Sequence, residues 1–211
     1  MTSRYVLEQC GVGIAAITGV MAARGKQVDL FGVIVLALVT AFGGGTIRDV
    51  AIGDHPVFWA KDAHYVYTAA GAAIVTFFLA RTHEIPLRSL QVADAFALAL
   101  FTIVGLVKAY SFHVPPAIAV MLGVTTGVAG GILRDLLLNE IPLVFRPDIY
   151  LYATAAFAGA VLYVILRFMQ IDPLTNMVVS VAAILLVRLA GIQWKLALPV
   201  FNPKDRSPGQ T

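Results

Sequence analysis

The residues of this chain that could do chemistry come in duplicate. Gly44-Gly45-Thr46-Ile47-Arg48-Asp49 and Gly130-Gly131-Ile132-Leu133-Arg134-Asp135 stand 86 positions apart, each a glycine pair followed by Arg-Asp within an apolar stretch. The first copy has a further glycine, Gly43. The same offset puts Glu8 on Asp94, Asp54 on Glu140, Asp62 on Asp148, Thr40 on Thr126, Pro56 on Pro142, Gly19 on Gly105 and Arg81 on Arg167. Eight of the 12 acids thus lie in duplicated positions, which chance does not give in a sequence so poor in charge. Arginine beside carboxylate in apolar surroundings can pair, hold an anionic group or steer an ion. Bond-making chemistry is not indicated. There is no serine, histidine and acid arrangement for hydrolysis, no paired histidines for zinc and no phosphate loop. The glycine run follows no strand, so it is not a dinucleotide fingerprint. Cys10 is the single cysteine, which excludes an internal disulfide and a cysteine metal cluster. His55, His64, His83 and His113 sit at segment ends without ligand spacing and read as interfacial. The expectation is a non-enzyme with no catalytic residue, no metal and no cofactor.

The elements that position these residues must be membrane helices. Of 211 residues, 59% are hydrophobic and 13% charged, and the mean hydropathy is +0.85. Soluble domains are about 45–50% apolar and about 25% charged. Apolar stretches long enough to span run over 5–23, 28–53, 64–81, 90–108, 114–139, 149–168 and 173–191. Arg4 ahead of an apolar run could pass for a signal peptide, but Glu8 lies inside the run and the segment has a relative later in the chain. The pI near 9.1 does not point to nucleic acid, because the net charge is only +3 and the cations are scattered at the ends of apolar segments. Trp59, Phe58, Tyr65 and Tyr67, with Phe145, Tyr150 and Tyr152, suggest an interfacial aromatic belt. Pro56 and Pro142 suggest short turns after the second and fifth spans. The tail from Asn202 reads as disordered.

Three spans per copy is an odd number, so the second copy enters the membrane from the opposite side. The fold class is an all-α membrane protein with seven transmembrane helices, two inverted three-helix repeats plus a seventh helix. The units are a first repeat over 1–89, a second over 90–170, a seventh helix over 171–193 and a tail over 194–211, in one structural domain. Leaving Arg48 and Arg134 aside, four cations fall on the N-terminal side (Arg4, Lys61, Lys108, Arg167) and nine on the other, Arg188 among them. That bias puts the N-terminus outside and the C-terminus in the cytoplasm. The seventh helix has no repeat partner and is expected to face lipid or a neighbouring subunit.

Each glycine cluster weakens its helix. The two clusters are expected to break the second and fifth spans and to line a shared hydrated cavity, with close helix packing as the alternative. A charge near the bilayer centre costs at least about 2.5 kcal/mol, so Arg48 and Arg134 need partners. Asp49 and Asp135 lie one residue on, about 100° round the helix, and are expected to be poor partners for their own arginines. Glu8 and Asp94, or Asp62 and Asp148, are better placed. Gly11, Gly13 and Ala15, or Gly71 and Gly159, suit either a subunit interface or packing within the chain.

These residues resemble a known family. Two Gly-Gly-x-x-Arg-Asp elements, each on the middle helix of a three-helix repeat, with a seventh helix, look like the trimeric intracellular cation channel family in its prokaryotic branch. The resemblance covers about residues 5–191. It implies a homotrimer in the inner membrane with a pore in each subunit, permeant potassium and also sodium, and voltage-sensitive gating. It implies that the helices over 28–53 and 114–139 line the pore. Gly43, Gly44, Gly45, Thr46, Gly130 and Gly131 would then be pore-lining or hinge residues, and Arg48, Asp49, Arg134, Asp135, Glu8 and Asp94 gating charges. Animal members carry a Lys-Glu-Val motif tied to phosphoinositide lipid; this chain has none, so membrane lipid is expected only as the surrounding solvent. The same domain has also been labelled a glycine transporter, which keeps a secondary transporter of a small zwitterion as the second reading.

Overall fold

Residues 3–82, 86–146 and 151–195 are described by the computed structural model of the chain. His83, Asp148, Tyr150 and the tail from 196 lie outside the described residues. The helices are α1 (Ser3–Ala22), α2 (Leu30–Ala51), the short α3 (Phe58–Lys61), α4 (His64–Thr82), α5 (Leu87–Ser111), α6 (Pro116–Leu137), α7 (Tyr152–Phe168) and α8 (Pro173–Trp194), with a 3-10 turn at Leu143–Phe145. Six of them are long and apolar enough to cross a membrane, and α7, at 17 residues, is a shorter apolar helix. A helix of 22 residues such as α2 is about 33 Å long, which matches a hydrocarbon core of about 30 Å.

Local chemistry explains the ends. Asp29 caps α2 by accepting from the Gly32 N–H at 2.7 Å, and Asp172 caps α8 by accepting from Thr175 N–H at 3.0 Å. Gly53 and Asn139, both at positive φ, turn the chain out of α2 and α6. Large apolar side chains such as Phe31, Tyr67, Phe78 and Leu186 stand exposed on the outside. Apolar faces of that extent suit hydrocarbon, and the chain is an all-helical membrane protein.

Helices α1, α2 and α4 pack on one another, and so do α5, α6 and α7. The two sets meet through α2 against α6 and α1 against α5. Helix α8 leans on α5 and α7 with one face, burying Asn176, Ser180, Ile184 and Arg188, while Leu174, Val178 and Leu186 face outward.

The α2–α6 crossing positions the site. Helix α2 buries Val33, Ala37, Thr40, Gly44 and Arg48 along one stripe; α6 buries Ala119, Gly123, Thr126, Gly130 and Arg134, the same positions shifted by the offset. A Cβ on Gly44 would lie 2.1 Å from the Thr126 carbonyl oxygen, and one on Gly130 would lie 2.2 Å from the Thr40 carbonyl oxygen. Each helix thus receives the other's threonine carbonyl in its own glycine notch, a reciprocal contact of the kind a two-fold axis makes.

The expected breaks at the glycines do not occur. Both helices run unbroken through Gly43-Gly44-Gly45 and Gly130-Gly131. Glycine costs a helix about 1 kcal/mol, whereas an opened backbone group in hydrocarbon costs several, so the ladder stays closed. The glycines serve close approach instead. Gly159 likewise receives Ile184 of α8 and Gly11 faces Phe101, both within the chain, while Gly71 faces open space.

Gly44→Ala and Gly130→Ala are therefore expected to destabilise the protein by about 1–3 kcal/mol through overpacking, read as a lower melting temperature in detergent. Gly71→Ala, with nothing near its added methyl, should leave the melting temperature unchanged or slightly raised.

Candidate functional site

Arg48 and Arg134 sit in the last turns of α2 and α6 and are almost wholly buried. Arg48 Nε donates to Asp49 Oδ1 at 2.8 Å, and its Nη2 reaches Glu8 Oε1 at 3.5 Å. Arg134 repeats this, with Nε on Asp135 Oδ1 at 2.8 Å and Nη1 on Asp94 Oδ1 at 2.9 Å. The structure therefore brings together Glu8, Arg48 and Asp49, and separately Asp94, Arg134 and Asp135. The expectation that each arginine avoids its neighbouring aspartate is overturned. Only the Cβ atoms diverge by about 100° on a helix; the long arginine stem folds back so that its Nε lies beside the adjacent carboxylate. Asp62 is not an arginine partner. It accepts from the Tyr5 hydroxyl at 2.8 Å and pairs with His64 at 2.6 Å.

The aspartates also hold the chain after each helix. Asp49 Oδ2 accepts from Phe58 N–H at 2.8 Å, and Asp135 Oδ2 from Leu143 N–H at 2.9 Å. That contact folds the segments after Pro56 and Pro142 back onto the bundle. It corrects the aromatic-belt reading for Phe58, Tyr65 and Tyr152, which are buried. Phe58 packs on Phe42 and Tyr65, and its ring centroid lies 5.5 Å from Arg48 Cζ. Tyr65 donates to Glu8 Oε2 at 3.0 Å. Trp59 stacks on Phe42 and donates from Nε1 to Thr46 Oγ1 at 3.0 Å. Tyr67 and Phe145 remain exposed.

Two cations read from the sequence as loop charges belong to this site. Lys108 Nζ lies 2.7 Å from both Asp49 Oδ1 and Asp54 Oδ2 and is buried. Arg188 of α8 is fully buried, with Cζ 4.8 Å from the Tyr152 ring centroid, and it acts electrostatically on Asp94. Neither has a charged repeat partner, since the offset puts Lys108 on Ala22 and Arg188 on Thr102. The signal available was their place inside or at the end of an apolar span, where a charge must find a partner. The buried acids Glu8, Asp49, Asp94 and Asp135 are thus met by four buried cations, Arg48, Lys108, Arg134 and Arg188.

At the rim, Lys61 pairs with Asp54 and Lys26 with Glu140, and Arg146 Nη2 reaches Glu140 at 3.1 Å. Partial desolvation works against ionisation of Asp54, yet Lys108 and Lys61 outweigh it and hold its carboxyl down at about 2. Lys26 holds Glu140 below the usual carboxylate range.

Three spaces lie in a row along α1, apart from one of about 180 Å³ between Val20, Val33 and Phe77. One of about 310 Å³ is at its start, lined by Tyr5, Glu8, Asp54, Asp62 and Lys108. One of about 10 Å³ is at its middle, lined by Thr18, Thr40, Asp94, Gly130 and Gly131. One of about 720 Å³ is at its end, lined by Ala22, Lys26, Asp135, Glu140 and Arg146.

Fold and site together define a class: a helical membrane protein that buries two arginine–carboxylate clusters at the crossing of two glycine-notched helices. The chain belongs to the TRIC family, whose profile, described as glycine transporter, matches it twice, over residues 5–81 and 91–167. Those ranges differ by the same 86 positions. The chain is 43% identical to the UPF0126 inner membrane protein YadS of Escherichia coli K12, over 93% of its own length and 95% of that protein's. It is 40% identical to a UPF0126 membrane protein of Vibrio cholerae, over 93% and 82% of the two lengths. Among solved structures, the trimeric intracellular cation channel orthologue of Rhodobacter sphaeroides superposes with a TM-score of 0.88 at 38% identity, over 93% of this chain and 100% of that one. A second TRIC cation channel gives 0.86 at 32% identity, over 96% and 99%.

Arg134→Ala leaves Asp94 and Asp135 buried without their cation and is expected to cost about 3–5 kcal/mol, seen as a large drop in melting temperature. Asp54 supplies a pH dependence. Its folded value of about 2 lies below its ordinary 3.8, so its contribution to stability is complete above about pH 4 and is lost as pH falls through about 2. Asp54→Asn should flatten the stability loss over that window. An acid limb identical to that of the wild type would contradict it.

Proposed function

We propose that this protein is a monovalent cation channel of the inner membrane, passing potassium and also sodium, and assembled as a homotrimer with a pore in each subunit. The observation that carries this is the row of three separate spaces along α1, the small middle one at the α2–α6 crossing, edged by acids whose charge is matched by buried cations. An arginine beside a cation path repels the ion unless it is neutralised; here each has carboxylates at hydrogen-bond range. The likeness to TRIC cation channels at 32–38% identity supports the same reading.

In this account Gly43, Gly44, Gly45, Thr46, Gly130 and Gly131 set the width of the path as notches rather than hinges. Arg48 and Arg134 are the tether groups, with Glu8 and Asp94 as their anchors. Asp135 edges one mouth and attracts cations there, whereas Asp49 is fully buried and bound to Arg48, Lys108 and Phe58 N–H, so that Asp54 and Asp62 edge the other. The Lys108 ammonium, seated between Asp49 and Asp54, fills one mouth with the protein's own cation. Seven crossings follow if α7 counts as a short one, with α1, α2 and α4 forming one repeat (1–89) and α5, α6 and α7 the inverted other (90–170). Removing the buried Lys108 and Arg188 from the loop charge leaves three cations against eight, so the bias toward an external N-terminus and cytoplasmic C-terminus survives.

The second reading, transport of a small zwitterion such as glycine, is favoured by the family description. It would need a guanidinium to take the solute's carboxylate. Arg48 and Arg134 already hold protein carboxylates in that role, which favours the channel.

Purified protein in planar bilayers is expected to show discrete unitary currents whose reversal potential follows the potassium gradient. Lys108→Ala should raise the open probability, and Arg48→Ala or Arg134→Ala should alter conductance or open probability. Saturable glycine flux without unitary current would establish the transporter instead. Unchanged currents in both arginine variants would make those residues purely structural.

A further inference from the structure

The repeat also differs between its copies away from the arginine clusters, at the ends of the outer helices. In the second half Tyr110, at the end of α5, stands beside Tyr163 of α7 with the ring centroids 6.4 Å apart. The Arg167 guanidinium lies over the Tyr110 ring, with Cζ 4.7 Å from its centroid. An aromatic ring thus fills the place between the helix ends and seats the cation. In the first half the offset puts Phe77 where Tyr163 stands and Arg81 where Arg167 stands, but a second arginine, Arg24, where the Tyr110 ring stands. Val20 and Ala80 also replace the larger Leu106 and Leu166. Arg81 keeps its seat on the remaining ring, with Cζ 6.0 Å from the Phe77 centroid.

With the ring replaced, these residues line the space of about 180 Å³ where the ends of α1 and α4 meet the start of α2. Val20, Val28, Val33 and Phe77 make its apolar lining, and the exposed Arg24 and Arg81 bring two guanidiniums to it. Among the described residues that line it there is no carboxylate. The nearby Asp29 is turned to the Gly32 N–H at 2.7 Å, as the cap of α2. The volume is about six times the share of one water in the liquid, which suits a phosphodiester and the start of its glycerol rather than a whole lipid. The same end of α4 turns Phe78 and Leu79 outward, a face of the kind that meets hydrocarbon.

We propose that Arg24 and Arg81 form a binding site for the phosphate of an anionic phospholipid, whose head group takes the place that the Tyr110 ring holds in the second half and whose chains run along Phe78 and Leu79. Guanidinium presents paired N–H donors that match phosphate oxygens. Two of them without a lining carboxylate favour a head group that carries net negative charge. A zwitterionic head group brings its own ammonium to the same place and gains less. Free phosphate would meet the same guanidiniums but leave the apolar lining and the face of α4 without a partner. The loop-charge bias assigns this end of the molecule to the cytoplasmic leaflet, where basic residues near the surface attract anionic lipid. The site does not depend on the channel reading.

The test is thermal unfolding of the full chain in detergent, titrated with phosphatidylglycerol, phosphatidylcholine or inorganic phosphate. Phosphatidylglycerol is expected to raise the melting temperature at a concentration on the order of tenfold lower than phosphatidylcholine, and inorganic phosphate to give no comparable shift. The double variant Arg24→Gln, Arg81→Gln should lose that preference. Arg24→Tyr should lose it too, by putting a ring in the space as Tyr110 does in the second half, and should unfold without lipid at or above the wild-type temperature; it carries the test if the double variant does not fold. Equal titrations with the two lipids, or a preference undiminished in either variant, overturns the site. A shift by inorganic phosphate at the same concentration as phosphatidylglycerol overturns the lipid as its occupant. No current enters these readouts, so the channel reading stands or falls separately.

Discussion

A guanidinium inside hydrocarbon must keep company with carboxylates, and much of this molecule is arranged around that requirement. Arg48 and Arg134 are too far from water for solvation to hold their charge. Each is held from two directions, by the next residue of its own helix and by an acid on α1 or α5. The second contact brings α1 against α2 and α5 against α6. The helices then cross closely enough that glycine is the only residue that fits beneath the opposing threonine carbonyl. The same aspartates take a backbone N–H from the following segment, so one carboxylate fixes the arginine, the helix end and the returning chain together.

Duplication supplied one arginine and two acids to each half, and each half buries one more cation from a place the other lacks. Lys108 comes from the end of α5 to serve Asp49, and Arg188 comes from α8 to act on Asp94. The copies therefore share a charge balance while differing in chemistry. In the first half Glu8 takes both Arg48 and Tyr65, whereas in the second the shorter Asp94 takes Arg134 through Oδ1, and its Oδ2 finds no hydrogen-bond partner among the described residues.

Much of this was legible in the residues because burial of charge is rare and costly in such a chain. The offset that aligned Arg48 with Arg134 narrowed their partners across helices to Glu8 and Asp94 or Asp62 and Asp148, and the geometry chose the first pair. The glycine clusters were misread as breaks because helix propensity was weighed without the larger cost of opening a backbone in lipid. Phe58, Tyr65 and Tyr152 looked like belt residues because nothing in their spacing reveals that Asp49 and Asp135 pull the following segments inward. Lys108 and Arg188 stayed hidden because they lack charged partners in the repeat, and both were counted with the loops.

The pairing of Arg134 with Asp94 is the claim on which the rest stands, and a double-mutant cycle measures it directly. Thermal unfolding in detergent would compare Arg134→Met, Asp94→Leu and the double variant. The account predicts coupling, with the double variant losing less stability than the two single losses together by about 0.5–3 kcal/mol. Losses that simply add would show that the two charges do not hold each other, and would contradict it.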